Sequence, residues 1–196
     1  MRTRRILFVL AAFVVGAVAI VAGALAMLPT NGRQVTTQIA IGGPFQLLDQ
    51  DKNEVTDETF IGEPKLVFFG FTHCPDICPT ALFDMSQAFE ALGTDARKVS
   101  GLFITVDPER DTPDVMKSYL GSFHPSIQGL TGSPEQVAAE IKAYRAYAKK
   151  VPTQGGDYTM DHTAIVYLMD KNGQFVAPFS LKRRPEEAAA DLRRYF

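Results

Sequence analysis

Cys74-Pro75-Asp76-Ile77-Cys78 is where residue type and spacing point most directly to chemistry. The pattern is C-x-x-x-C rather than C-x-x-C, and the chain has no other cysteine. Side chains four apart on a helix share a face, with Cβ atoms about 5–6 Å apart. Two thiolates so placed can converge on one soft metal ion, and soft thiolates select Cu(I), zinc or iron–sulfur clusters. With two cysteines a four-cysteine site is excluded. The same sulfurs could instead exchange with another dithiol, or close a structural disulfide. So short a loop removes little entropy from the unfolded chain, which weakens the purely structural reading. A helix N-terminus at the pair would favour negative charge and lower a thiol pKa.

A third ligand must come from elsewhere, and the histidines are His73, His124 and His162. His162 directly precedes the apolar stretch Thr163–Asp170. In a thioredoxin-like layout the loop before that strand faces the cysteine helix. Two thiolates and one imidazole suit three-coordinate Cu(I), whereas zinc normally takes a fourth ligand. A surface or capping role is the plainer alternative for His162. His73 should point away from the cysteine face, and His124 before Pro125 reads as a helix terminator. Asp161 could orient the His162 ring by a hydrogen bond. Asp107-Pro108-Glu109-Arg110-Asp111 reads as a partner-docking or supporting loop, or as a turn whose Asp111 or Thr112 caps a helix.

The elements that must hold these residues follow from hydrophobic pattern. Phe45–Asp49 and Glu54–Val55 around Asp51-Lys52-Asn53 suggest a hairpin. Lys65–Phe71 and Val99–Val106 are short apolar runs that read as buried strands, their phenylalanines as core. Thr80–Leu92 has apolar residues at helical spacing. Thr112–Phe123 is expected to be a helix with Pro113 in its first turn. Gly129–Leu130 suggests a short edge strand. Ser133 and Gln136 have capping-box spacing, opening a helix to about Tyr147. Lys149–Asp161 reads as a polar loop. Thr163–Asp170 and Gln174–Ser180 suggest strands around Lys171-Asn172-Gly173, and Pro185–Tyr195 a closing helix. Strands alternating with helices, then a late hairpin, imply an α/β fold: a thioredoxin-like mixed sheet flanked by helices, with an N-terminal β-hairpin.

The chain has 196 residues, with 46% hydrophobic and 21% charged side chains, which suits one folded domain and argues against disorder. Ile6–Leu28 is an uncharged apolar run of 23 residues preceded by Arg2, Arg4 and Arg5. About 20 such residues span a bilayer. We therefore expect one N-terminal transmembrane helix, with the N-terminus inside and the domain outside. Ala24-Leu25-Ala26 offers the alternative of a cleaved signal peptide. The expected organisation is an anchor at 1–28, a tether at 29–44 and a domain at 45–196. Beyond the anchor, 17 basic residues face 22 acidic ones, a net of −5, which disfavours nucleic acid as a partner.

The stretches FFGFTHCPDICP (68–79), VDPERDTP (106–113) and DHT (161–163) together resemble the Sco/SenC family over about residues 43–196. The resemblance implies a membrane-tethered, thioredoxin-like copper protein that helps assemble the binuclear copper centre of cytochrome c oxidase. It places the copper ligands on Cys74, Cys78 and His162, and gives no ligand role to Asp107–Asp111. On this reading the chain is a metallochaperone rather than an enzyme, and oxidation of Cys74 and Cys78 to a disulfide would abolish binding. Its expected partners are the copper-site subunit of the oxidase, other copper chaperones or a thiol reductase, and the membrane. The domain would face the periplasm of a bacterium or the intermembrane space of a mitochondrion. The rivals are a thiol–disulfide oxidoreductase, with Cys74 and Cys78 as its redox pair, and a redox or copper sensor.

Overall fold

The computed structural model describes residues 13–21, 23 and 40–196. The chain divides into two units, Met1–Gln38 and Ile39–Phe196. In the first, residues 13–21 and 23 are helical, and their large apolar side chains, Phe13 and Ile20 among them, are exposed. Much of the expected span Ile6–Leu28 lies outside the described residues. Among those described, no helix is long and apolar enough to cross a membrane.

The second unit contains the whole hydrophobic core of the described residues, from Ile41 to Tyr195, and so has what it needs to fold without the first. Its centre is a seven-stranded mixed sheet ordered β2-β1-β5-β4-β3-β8-β9. β1 (Gln46–Asp49) and β2 (Glu54–Thr56) form the expected hairpin. Its turn is held by the Asp49 carboxylate, which accepts the N–H groups of Asp51 and Asn53, each at 2.8 Å. Lys52, not Asn53, takes the left-handed conformation there. β3 (Lys65–Gly70), β4 (Ser100–Thr105) and β5 (Ile127–Thr131) run parallel, and every residue of β3 and β4 is buried. Strands covered on both faces carry continuous apolar runs, which is why the first two were readable.

β5 is not the edge strand that Gly129–Leu130 suggested. The β1–β2 hairpin folds back along its outer side, pairing Leu48 with Thr131 and Asp49 with Leu130. On the other side of the sheet β8 (Val166–Met169) pairs antiparallel with β3, and β9 (Phe175–Pro178) with β8.

Three helices connect the strands and a fourth follows the last of them. α1 (Ile77–Leu92) begins before the expected Thr80 and buries Cys78, Leu82, Met85, Phe89 and Leu92. Those positions, spaced by four, three, four and three, make one apolar stripe. α2 (Pro113–Leu120) is capped by Thr112, whose side chain accepts from Val115 N–H. α3 (Pro134–Ala143) opens with the expected Ser133–Gln136 capping box but stops short of Tyr147, where Arg145 turns left-handed. α4 (Pro185–Leu192) packs against α1. Gly101 of β4 lies against Met85 and Phe89 of α1, and Gly129 of β5 lies against Met116 and Leu120 of α2. Tyr144, just past α3, packs on Phe69 and Tyr167 at the opposite face. Both faces are therefore covered, in a thioredoxin-like arrangement.

Lys149–Asp161 is not a loop. β6 (Ala148–Pro152) and β7 (Tyr158–His162) form a separate antiparallel ribbon, turned at Gly155 and Gly156, whose positive φ values suit glycine. Neither strand has a buried face, so neither shows the alternation by which strands are read.

Candidate metal centre

β3 delivers the chain to the site. After it, Phe71 is buried, the chain turns with Cys74 N–H donating to the Phe71 carbonyl, and α1 begins two residues after Pro75. Cys78 is thus inside the first turn of α1 and, being four residues before Leu82, points into the core, where it is fully buried. Cys74 lies in the preceding turn and is half-buried. Both thiols are free, so the disulfide expected for the oxidised form is not present here.

Gly70 makes room for this sulfur. A Cβ there would come within 2.7 Å of Cys78 Sγ and 2.5 Å of Phe103 Cε2. The helix end acts unevenly on the pair. Cys78 N–H donates to Cys74 Sγ at 3.4 Å, so it is Cys74 that gains from the exposed amide. Burial pushes the Cys78 thiol well above its ordinary pKa, outweighing a hydrogen bond with the Phe71 backbone that lowers it, so the lowering expected at a helix N-terminus does not reach Cys78.

His162 arrives on β7, not on a loop leading into the next strand. Its Nε2 lies 3.6 Å from Cys78 Sγ. Its Nδ1 is 3.1 Å from the Thr163 carbonyl, which accepts the ring N–H and leaves the Nε2 lone pair facing the sulfurs. Asp161 does not orient the ring; it is exposed. The rings of Phe71 and Phe68 stand edge-on to the imidazole, at 5.7 and 6.4 Å between centroids. The ligand atoms of Cys74, Cys78 and His162 all lie within 4.8 Å of one another, and among the described residues no further His, Cys, Asp or Glu joins them. Three donors in a plane about 2.2 Å from an ion stand about 3.8 Å apart, so small shifts would close this set on one metal. His73 points elsewhere, its Nδ1 3.0 Å from Thr72 Oγ1. His124 sits beyond α2, its ring packed edge-on to Phe89.

The Asp107–Asp111 loop turns its carboxylates inward. Asp111 is buried and accepts from Thr72 N–H, Thr72 Oγ1 and Thr105 Oγ1, at 3.1, 2.6 and 2.7 Å. Burial raises its pKa, against those hydrogen bonds. Asp107, also buried, accepts from Arg110 Nε and from Tyr158 Oη. Arg110 Nη1 donates to the Tyr158 carbonyl at 3.0 Å, and the guanidinium lies 3.8 Å over the Tyr158 ring. One loop therefore ties the turn before Cys74 to the ribbon that carries His162.

The sequence of residues 33–196 matches the profile of the SCO1/SenC family. This chain belongs to the SCO1/SenC family. It is 42% identical over 138 residues to the mitochondrial SCO1 homolog 1 of Arabidopsis thaliana, a match covering 70% of this chain but only 41% of that protein. It superimposes with a TM-score of 0.79 on ScoI of Bradyrhizobium japonicum solved with copper bound, at 63% identity, covering 80% of this chain and all of that one. Yeast Sco1 with copper bound gives 0.72 at 39% identity, over 80% and 88%. Within this SCO1/SenC fold, sequence reasoning brought together Cys74, Cys78 and His162 and named Arg110 only as part of a supporting or docking loop, but missed Gly70 and Tyr158. The available signal was the cluster of inward-capable charges at 107–111, which spacing alone could not aim.

Proposed function

We propose that the chain binds one copper ion as Cu(I) through Cys74, Cys78 and His162 and passes it on as a metallochaperone. The observation that carries this is the set of three donor atoms within 4.8 Å, two of them soft sulfurs, with no fourth beside them among the described residues. The copper-bound structures of Bradyrhizobium ScoI and yeast Sco1 support the choice of metal. The recipient is the binuclear copper centre of cytochrome c oxidase, as the family likeness implies. Its thiolates would take the ion by stepwise exchange. Other copper chaperones or a thiol reductase would load or reset the site. The run Ile6–Leu28 would anchor the chain in a membrane, with the folded unit in the periplasm or the intermembrane space.

A second reading is thiol–disulfide exchange with the oxidase's own cysteines. One observation favours it: Cys74 is half-buried and receives an N–H, whereas Cys78 is buried, an asymmetry suited to attacking and resolving thiols. The deciding experiment titrates Cu(I) into reduced protein against a competing chelator. Wild type should bind one ion. His162→Ala should weaken binding more than about a hundredfold, and Asp161→Asn by less than about twofold. Equal affinity of wild type and His162→Ala would leave the dithiol reading in front.

A further inference from the structure

A groove of about 570 Å³ opens directly beside the metal centre. Phe68 lies at its floor; Asp76, Ile77 and Asp84 of the α1 side form one wall, and Ile165 and Lys182 stand on the other. Both walls adjoin ligands: Ile77 precedes Cys78, and Ile165 lies three residues after His162. Ile77 and Ile165 are 53% and 41% exposed, a large apolar exposure for residues next to a buried site. Ala164 and Ile165 fall between β7 and β8, outside both ladders, so their main-chain groups are not committed to a sheet.

The rim carries two carboxylates, Asp76 and Asp84, against one ammonium, Lys182 on the opposite wall. Among the described residues, neither Asp76 nor Asp84 has an ion-pair partner. Eight residues of helical rise separate them by about 12 Å. In an extended chain, residues four apart share a face and are about 13 Å apart. An extended segment with basic residues at positions i and i+4 could thus meet both carboxylates while its apolar side chains fill the groove between.

We infer that this groove seats an extended segment of the metal-accepting protein, apolar with two basic residues four apart, and so brings its thiolates to the Cys74–Cys78–His162 centre. The inference rests on the metal-transfer reading above. It adds a docking chemistry to that reading: the contacts that choose the partner lie outside the ligand set, at the start of α1 and on the segment between β7 and β8.

The test uses residues 39–196 and two capped nine-residue peptides of Val, Thr and Ile, one with Lys at positions 3 and 7, the other with Glu there. Binding is measured by calorimetry and by chemical-shift mapping, with a Cu(I) titration on the same samples. The Lys peptide should bind at least about tenfold more tightly than the Glu peptide and should shift the Ile77 and Ile165 signals. Asp84→Lys should invert the preference, and Ile165→Ser should weaken the Lys peptide; circular dichroism reports that each variant is folded. Equal binding of the two peptides, or an Asp84→Lys protein that keeps the Lys preference, overturns the proposal. So does a concentration-dependent dimer abolished by Ile165→Ser, which would give the groove to a second copy of this chain. If these fail while Cu(I) still binds one-to-one, only the docking inference falls; loss of Cu(I) binding in wild type instead removes the metal reading.

Discussion

A methyl group on Gly70 would meet Cys78 Sγ and Phe103 Cε2 at distances no side chains sustain. Gly70→Ala must therefore displace the sulfur or the ring. We expect a loss of about 1–3 kcal/mol in urea unfolding, together with weaker Cu(I) binding in chelator competition where it is the sulfur, a proposed donor, that moves. A variant that unfolds like wild type and binds Cu(I) equally would show that α1 shifts without cost. At this scale the candidate donors were legible because their chemistry is carried by residue type: two cysteines and a few histidines leave few combinations. The support of His162 was not. Asp161 and His162 are consecutive in β7, and successive strand side chains point to opposite sides. The carboxylate next in sequence was thus aimed away, and a backbone carbonyl took its place.

Among elements, the β6–β7 ribbon stands apart, since its strands pair only with each other. Its attachment beside the site runs in large part through Arg110, which reaches Asp107, the Tyr158 carbonyl and the Tyr158 ring. Replacing Arg110 by Met keeps much of the packing and removes every one of those polar ties. Amide exchange at Tyr158–His162 should then speed up while β3 and β4 keep their protection, and Cu(I) affinity should fall about tenfold, as for a lost supporting contact. Unchanged exchange in the ribbon would mean that its remaining ties, the Tyr158 Oη–Asp107 hydrogen bond and the Lys150–Glu109 ion pair among them, suffice to hold it. The sheet was readable where burial on both faces makes continuous apolar runs, as in β3 and β4. It was misread at β5, because the hairpin covering its edge is distant in sequence. The ribbon was missed because its residues pack on the domain's surface and carry no period.

Across the whole molecule, charge buried far from the metal centre sets how stability responds to pH. Glu140 of α3 is 3% exposed, its Oε2 has no hydrogen-bond partner, and burial, with Asp57 nearby, pushes its pKa up to about 7. A carboxyl whose pKa is raised on folding stabilises the fold while it stays protonated. Its contribution is full below its unfolded pKa, near 4.5, and is lost as pH rises through about 7. Glu140→Gln should therefore match wild type at pH 4.5 and exceed it at pH 8 by up to about 3 kcal/mol, measured by denaturant unfolding. Identical pH curves would place the carboxyl in water. The donors themselves also span the molecule, for Cys78 and His162 are 84 positions apart in the chain. An ion held by both ties a loop of that length, as a cross-link would, but one that a recipient can untie. Cross-linking so long a loop disfavours the unfolded chain by about 4–5 kcal/mol at 25 °C. On the proposed transfer, giving up the ion would return that entropy: the emptied protein would keep its shape but unfold more readily, and would be the form a protease consumes first.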